Sequence, residues 1–121
     1  MKFLYEELTH KIIGCFYRVH DELGAGFLES VYEKALMIEL QAVSLQVENQ
    51  KSINVFYKDQ LIGEFKSDIL VEDKIIIEIK ALSKSNNQHE AQLINYLKAT
   101  KIKIGLLVNF GEKLEFKRRI Y

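Results

Sequence analysis

Residues 68–80 read DILVEDKIIIEIK: two apolar runs joined by an acidic turn, with Asp68, Glu78 and Lys80 set where valine or threonine would pack better. How the two runs pair decides the fold. A two-residue connection would set Val71 opposite Lys74 and Asp68 opposite Ile77, mixing apolar and charged residues on both faces. A three-residue connection, Glu72-Asp73-Lys74, pairs Val71 with Ile75, Ile69 with Ile77 and Ser67 with Ile79, which makes one face continuously apolar. Burial specifies register, because a slip of one residue turns every side chain over. The three-residue connection is therefore expected, although no glycine marks it.

That register also fixes the other face, where Leu70 meets Ile76, Asp68 meets Glu78 and Lys66 meets Lys80. Directly opposed side chains lie ~5 Å apart at Cβ, and like charges there are destabilising. Two facing carboxylates ask for a solvating gap, a shared proton or a cation. Oxygen-rich sites of this kind suit Mg²⁺ or Mn²⁺, not zinc. Lys80 projects from the same face ~7 Å along the strand from Glu78, within reach of a water at such an ion. Glu-x-Lys alone usually means a solvated strand face. Here Ile62, Leu70 and Ile76 share the face and argue for partial cover.

Outward from this hairpin, Leu4, Leu8, Ile12, Phe16, Val19 and Leu23 recur at helical spacing, with Gly24 as the stop. A second helix is expected from about Leu28 to Val43. Strands follow from Leu45 to Ala81, with turns near Lys58-Asp59 and Glu72-Asp73. NNQHEAQLINYLKAT returns to a helical pattern, and IKIGLLVNF and KLEFKRRIY read as two strands around Gly111. The order ααβββαββ predicts an α/β (α+β) single domain over 1–121, a central mixed β-sheet flanked by helices. There is no repeat, no low-complexity segment, no linker and no proline.

The 121 residues suffice for one core. Seventeen basic residues offset seventeen acidic ones, so the net charge is zero. That argues against a protein that coats long stretches of nucleic acid. Cys15 stands alone in a helical apolar pattern and reads as a buried small hydrophobe. The sole cysteine, the early acids Glu6 and Glu7 and the lack of a long apolar run predict a cytoplasmic protein without a membrane span.

Two helices add polar groups. Glu29 falls between Leu36 and Leu40 at the edge of the second helix's apolar side, from which it could reach the sheet. Tyr32, one turn on, reads on spacing as a core tyrosine with a satisfied hydroxyl. On the third helix Gln88, His89, Gln92 and Tyr96 share a flank away from Leu93 and Leu97, where solvated helices usually carry Lys and Glu. A helix start with capped amides would account for Gln88 and His89 as well. His10, His20 and His89 lack ligand spacing, so no zinc site is expected. Lys113, Lys117, Arg118 and Arg119 form a basic cluster that reads first as a solvated strand face.

Gly26, Glu29 and Tyr32, within GAGFLESVYEKAL, resemble the motif for which the GxxExxY family is named. SDILVEDKIIIEIKAL and HEAQLINYLKATKIKIGLLVNFG are similar to that family too, so the resemblance runs from about Leu8 to the end. The family is placed in the PD-(D/E)XK nuclease-like superfamily, which implies a restriction-endonuclease-like core and a metal-dependent phosphodiesterase site. By position, the resemblance implies Asp68 and Glu78 as ligands of Mg²⁺ (or Mn²⁺) and Lys80 as the catalytic lysine. It implies Glu29 as the helix-borne acid that completes the metal shell or orients a water, and it matches Gln92 and Tyr96 to the Q-x-x-x-Y element of exonuclease-like branches, which would hold Lys80, the metal-bound water or the phosphate. Ser67 stands where the superfamily's motif has proline. The function so implied is a nuclease acting on nucleic acid, DNA ahead of RNA. The alternative is a catalytically silent nuclease-fold protein that binds nucleic acid or a protein partner. A third reading, a structural or assembly module, draws on the zero net charge, and a homodimer fits all three.

Overall fold

Two strands are mostly apolar and buried on both faces: Ile75–Lys80, in which only Lys80 is half-exposed, and Ile104–Phe110. Such runs belong at the centre of a sheet covered above and below, the usual setting of a parallel pair. The computed structural model describes residues 5–83 and 87–121, and their side chains except at 87–89. Its elements are α1 (Glu6–Leu23), α2 (Glu29–Ala42), β1 (Val47–Tyr57), β2 (Gln60–Val71), β3 (Ile75–Lys80), α3 (Asn87–Thr100), β4 (Ile104–Phe110) and β5 (Leu114–Ile120). This is the expected order. Leu4 and the side chains of Gln88 and His89 lie outside the described residues.

The sheet runs β1-β2-β3-β4-β5, antiparallel except for the β3–β4 pair. A parallel pair needs a crossover, and α3 supplies it. On one face, α1 and α2 bury Ile12, Phe16, Tyr32, Leu36 and Leu40 against Ile69, Ile77 and Val108. On the other, Leu93, Tyr96 and Leu97 of α3 cover Ile53, Leu70, Ile76 and Leu107.

The hairpin register is as read from burial: Val71 pairs with Ile75, Leu70 with Ile76 and Ile69 with Ile77. Glu72 and Asp73 both take left-handed conformations (φ 52° and 56°), and the Lys74 amide donates to the Val71 carbonyl at 2.9 Å. The β2–β3 ladder then stops. The expected pairs Ser67–Ile79, Asp68–Glu78 and Lys66–Lys80 do not form, and from Gln60 to Ser67 strand β2 pairs with β1 alone.

The facing also turns over at this point. By strict alternation Phe65 and Ser67 would share the α1/α2 side with Ile69. Instead Ser67 lines a cavity with Leu70 and Ile76, and Phe65 lies against Tyr96 of α3, ring centroids 5.5 Å apart. A kink lies across the ladder at the same level. Gln50, flanked by the Asn49–Ile69 and Lys51–Ser67 pairs and so facing Asp68, has φ 52°. A left-handed residue inside a strand redirects the side chains beyond it. Beyond the kink the β1–β2 hairpin continues as an arm to a two-residue turn, Lys58-Asp59, with both residues at positive φ.

Candidate functional site

The acids sit where β2 and β3 part. The Asp68 carboxylate accepts the Ile79 amide at 2.7 Å, and the Glu78 carboxylate accepts the Asp68 amide at 3.4 Å. Side chains thus continue a ladder that the main chains abandon. Such bonding satisfies backbone donors that would otherwise be buried and unpaired. Glu78 is 3% exposed. Burial, then the Asp68 charge, push its pKa up to about 9, so Glu78 carries a proton at neutral pH. Burial also raises Asp68, against the pull of the Ile79 amide.

Lys80 ends β3, half-buried, and pairs in register with Asn109 of β4. Its positive charge lowers the pKa of both acids. Asn109 is buried and clamps the chain just past Lys80: its side chain accepts from the Leu82 amide at 2.8 Å and donates to the Leu82 carbonyl at 3.0 Å. The exit of β3 is thereby held beside the site.

The start of α2 approaches the same split. Gly26 has φ 105°, a conformation open to glycine and strained for other residues. The Tyr32 hydroxyl donates to the Gly24 carbonyl at 2.6 Å and accepts the Phe27 amide at 3.3 Å. Its ring stacks on Phe110 at 4.6 Å. Tyr32 is therefore the core tyrosine that spacing predicts, and its hydroxyl fastens the loop from which α2 begins. Glu29, the first residue of α2, is exposed and lines a cleft of about 310 Å³ with Ser30, Glu33, Gln50, Asp68 and Ile79. Glu33 and Gln50 were not expected in the site. Glu33 follows Glu29 by one helical turn, the spacing that places two side chains on one face. Gln50 gives no sign in the sequence.

On α3, Gln92 donates to the Tyr96 hydroxyl at 2.9 Å. Tyr96 is buried, and burial followed by the charges of Glu78 and Asp68 raises its pKa. The Gln92–Tyr96 pair thus borders the acids from the α3 side. In the basic cluster, Glu90 of α3 pairs with Lys117, and with Arg119 at 2.8 Å, so these two cations join α3 to β5.

The donor set at the split is all oxygen, and one of its two acids, Glu78, is protonated at neutral pH. That chemistry fits a hard divalent ion. Among the described residues no three His, Cys, Asp or Glu side chains come close enough to enclose one. A family model described as the PD-(D/E)XK nuclease superfamily matches residues 6–119. The chain belongs to that superfamily. Among curated proteins none matches the sequence. The crystal structure of SSO0001 is similar in fold, with TM-score 0.61 and 17% identity over 75% of this chain. The chain spans about half of that one, 48% of its length. No helix among the described residues is long and apolar enough to cross a membrane.

Proposed function

We propose that this chain hydrolyses phosphodiester bonds of nucleic acid, with Asp68 and Glu78 holding a divalent ion and Lys80 beside it. The observation that carries the reading is Glu78: a carboxyl 3% exposed, set against a second carboxyl and kept protonated by burial and charge. A purely structural position would be better served by glutamine or an apolar residue. An ion bound there supplies Lewis-acid polarisation of a phosphate oxygen and offsets the charge of the acids. Lys80 holds the attacking water by hydrogen bonding and stabilises negative charge as it develops on the phosphate. Tyr96, fixed by Gln92, offers a hydroxyl to the phosphate or to Lys80. Glu29 stands at the rim of the cleft, where it orients water.

A second reading, binding without cutting, draws on one specific feature: both carboxylates already serve backbone amides. Cleavage separates the two. Labelled single- and double-stranded DNA, incubated with Mg²⁺ or Mn²⁺, is cut by the wild type and spared in chelator. Lys80→Ala cuts roughly 100-fold or more slowly and melts like the wild type. A Lys80→Ala protein that cuts at the wild-type rate removes the role given to Lys80.

A further inference from the structure

The sheet has two edges, and the chain treats them differently. β5, at one edge, carries Glu115, Lys117, Arg118 and Arg119 among its seven residues. Charge of that density keeps a further strand from adding on. β1, at the other edge, is 11 residues long and holds only Glu48 and Lys51 as charges. These two pair with each other at 3.4 Å, on either side of the kink at Gln50. Beyond them residues 52–57 read SINVFY, with no charge and no proline. Among the described residues no strand lies outside β1, and no other backbone group bonds to its outer side. The arm to which this edge belongs is also apolar: Phe56, Tyr57, Leu61, Ile62 and Phe65 are 37–64% exposed.

We propose that the outer edge of β1 over residues 52–57 is a self-association surface, where a second copy of this chain adds its own β1 antiparallel and joins the two sheets into one. A row of free N–H and C=O groups is matched best by another strand. A second copy supplies that strand in self-complementary form, because two-fold symmetry sets each edge against its own reverse. Charge permits the pairing: with the axis anywhere within 52–57, neither Glu48 nor Lys51 faces its own copy. An axis at Asn54 sets Ile53 of one chain opposite Val55 of the other, a β-branched pair, and Lys51 opposite the Tyr57 ring. The area also suffices. Five large side chains about half exposed, at ~150–250 Å² each, offer on the order of 500 Å². The strand main chain, Ser52 and Asn54 bring this toward the ~800 Å² that each partner buries in a standard interface. None of these residues lines the cleft beside Asp68, so association and ion binding are separate properties.

Sedimentation velocity over a range of concentrations tests this, on the wild type beside Asn54→Lys, Phe56→Lys and Ile38→Lys. Asn54 is exposed on the edge, and a lysine there sets like charges face to face near the axis. Phe56→Lys removes an exposed ring from the arm and adds a charge to the bare edge. Ile38, 67% exposed on α2, controls for the loss of any exposed apolar side chain. The wild type is expected at twice the mass of one chain. Asn54→Lys and Phe56→Lys should raise its dissociation constant roughly 10-fold or more, while Ile38→Lys associates like the wild type. Hydrogen exchange of the wild type gives a second readout that needs no variant: amides at 52–57 slow as concentration rises, and slow more than those of β5. A wild type that keeps the mass of one chain at every concentration overturns the proposal. So does a dimer that the two arm variants leave intact, one that Ile38→Lys weakens as much, or one whose amides at 52–57 exchange as fast as in the single chain.

Discussion

Glu78 concentrates the chemistry of the site in one side chain. Its pKa of about 9 in the fold stands above the ordinary 4.5, so folding favours the protonated form. The stability this brings is fully present below about pH 4.5 and is lost as pH rises through about 9. The slope is at most about 1.4 kcal/mol per pH unit. In divalent-free buffer the melting temperature of the wild type should therefore fall as the pH is raised from 5 to 9, roughly the window between the two pKa values. Glu78→Gln flattens that fall and melts higher at its alkaline end. Asp68→Asn also raises stability there by removing the facing charge, since asparagine keeps an oxygen for the Ile79 amide. Thermal melts in chelator across this range check all three, and a wild-type curve that is flat or rises with pH contradicts the protonated Glu78. At this scale Asp68, Glu78 and Lys80 were legible because charge interrupts apolar strands. Gln50 was not, because a glutamine in a polar strand looks ordinary until its backbone angle is known.

Among the elements, the hairpin register was legible because only one offset makes an unbroken apolar face. The end of its ladder was not. It depends on carboxylates that compete with main-chain acceptors and on a kink in the neighbouring strand, neither of which shows in hydrophobic pattern. The loop before α2 is held by a single hydroxyl. Tyr32→Phe leaves the Gly24 carbonyl and the Phe27 amide short of a partner and should cost about 1–2 kcal/mol, seen as a lower midpoint in urea unfolding; an unchanged midpoint would show that the clamp contributes nothing. The seat of α3 is a matter of steric fit. A Cβ on Gly105 of β4 would lie 2.5 Å from Leu93 Cδ1 and 2.8 Å from its Cγ. Gly105→Ala should destabilise by about 1–3 kcal/mol through overpacking. Leu93→Ala in the same protein makes room for the methyl, so the double variant should lose less than the sum of the two single losses. Additive losses would show that α3 does not rest on this glycine.

For the whole molecule, two covered faces and one split in the sheet account for where chemistry is placed. The α1/α2 layer delivers Glu29 and Glu33 to the split, the sheet delivers Asp68, Glu78 and Lys80, and α3 borders it with Tyr96. The element order and the layering were legible from the change of period along the chain. The basic C-terminal cluster could not be resolved without tertiary structure, because Lys117 and Arg119 take their partner, Glu90, from a helix distant in sequence. The central claim is that the split between β2 and β3 holds a divalent ion on Asp68 and Glu78. The most direct test is an Mn²⁺ titration of wild type beside Asp68→Asn, run in two buffers of different ionisation enthalpy. A carboxyl that is protonated before the ion enters must release its proton. The account predicts saturable binding by the wild type alone, with a heat that changes between buffers by about one proton per ion. No binding by the wild type, or equal binding by Asp68→Asn, would contradict it.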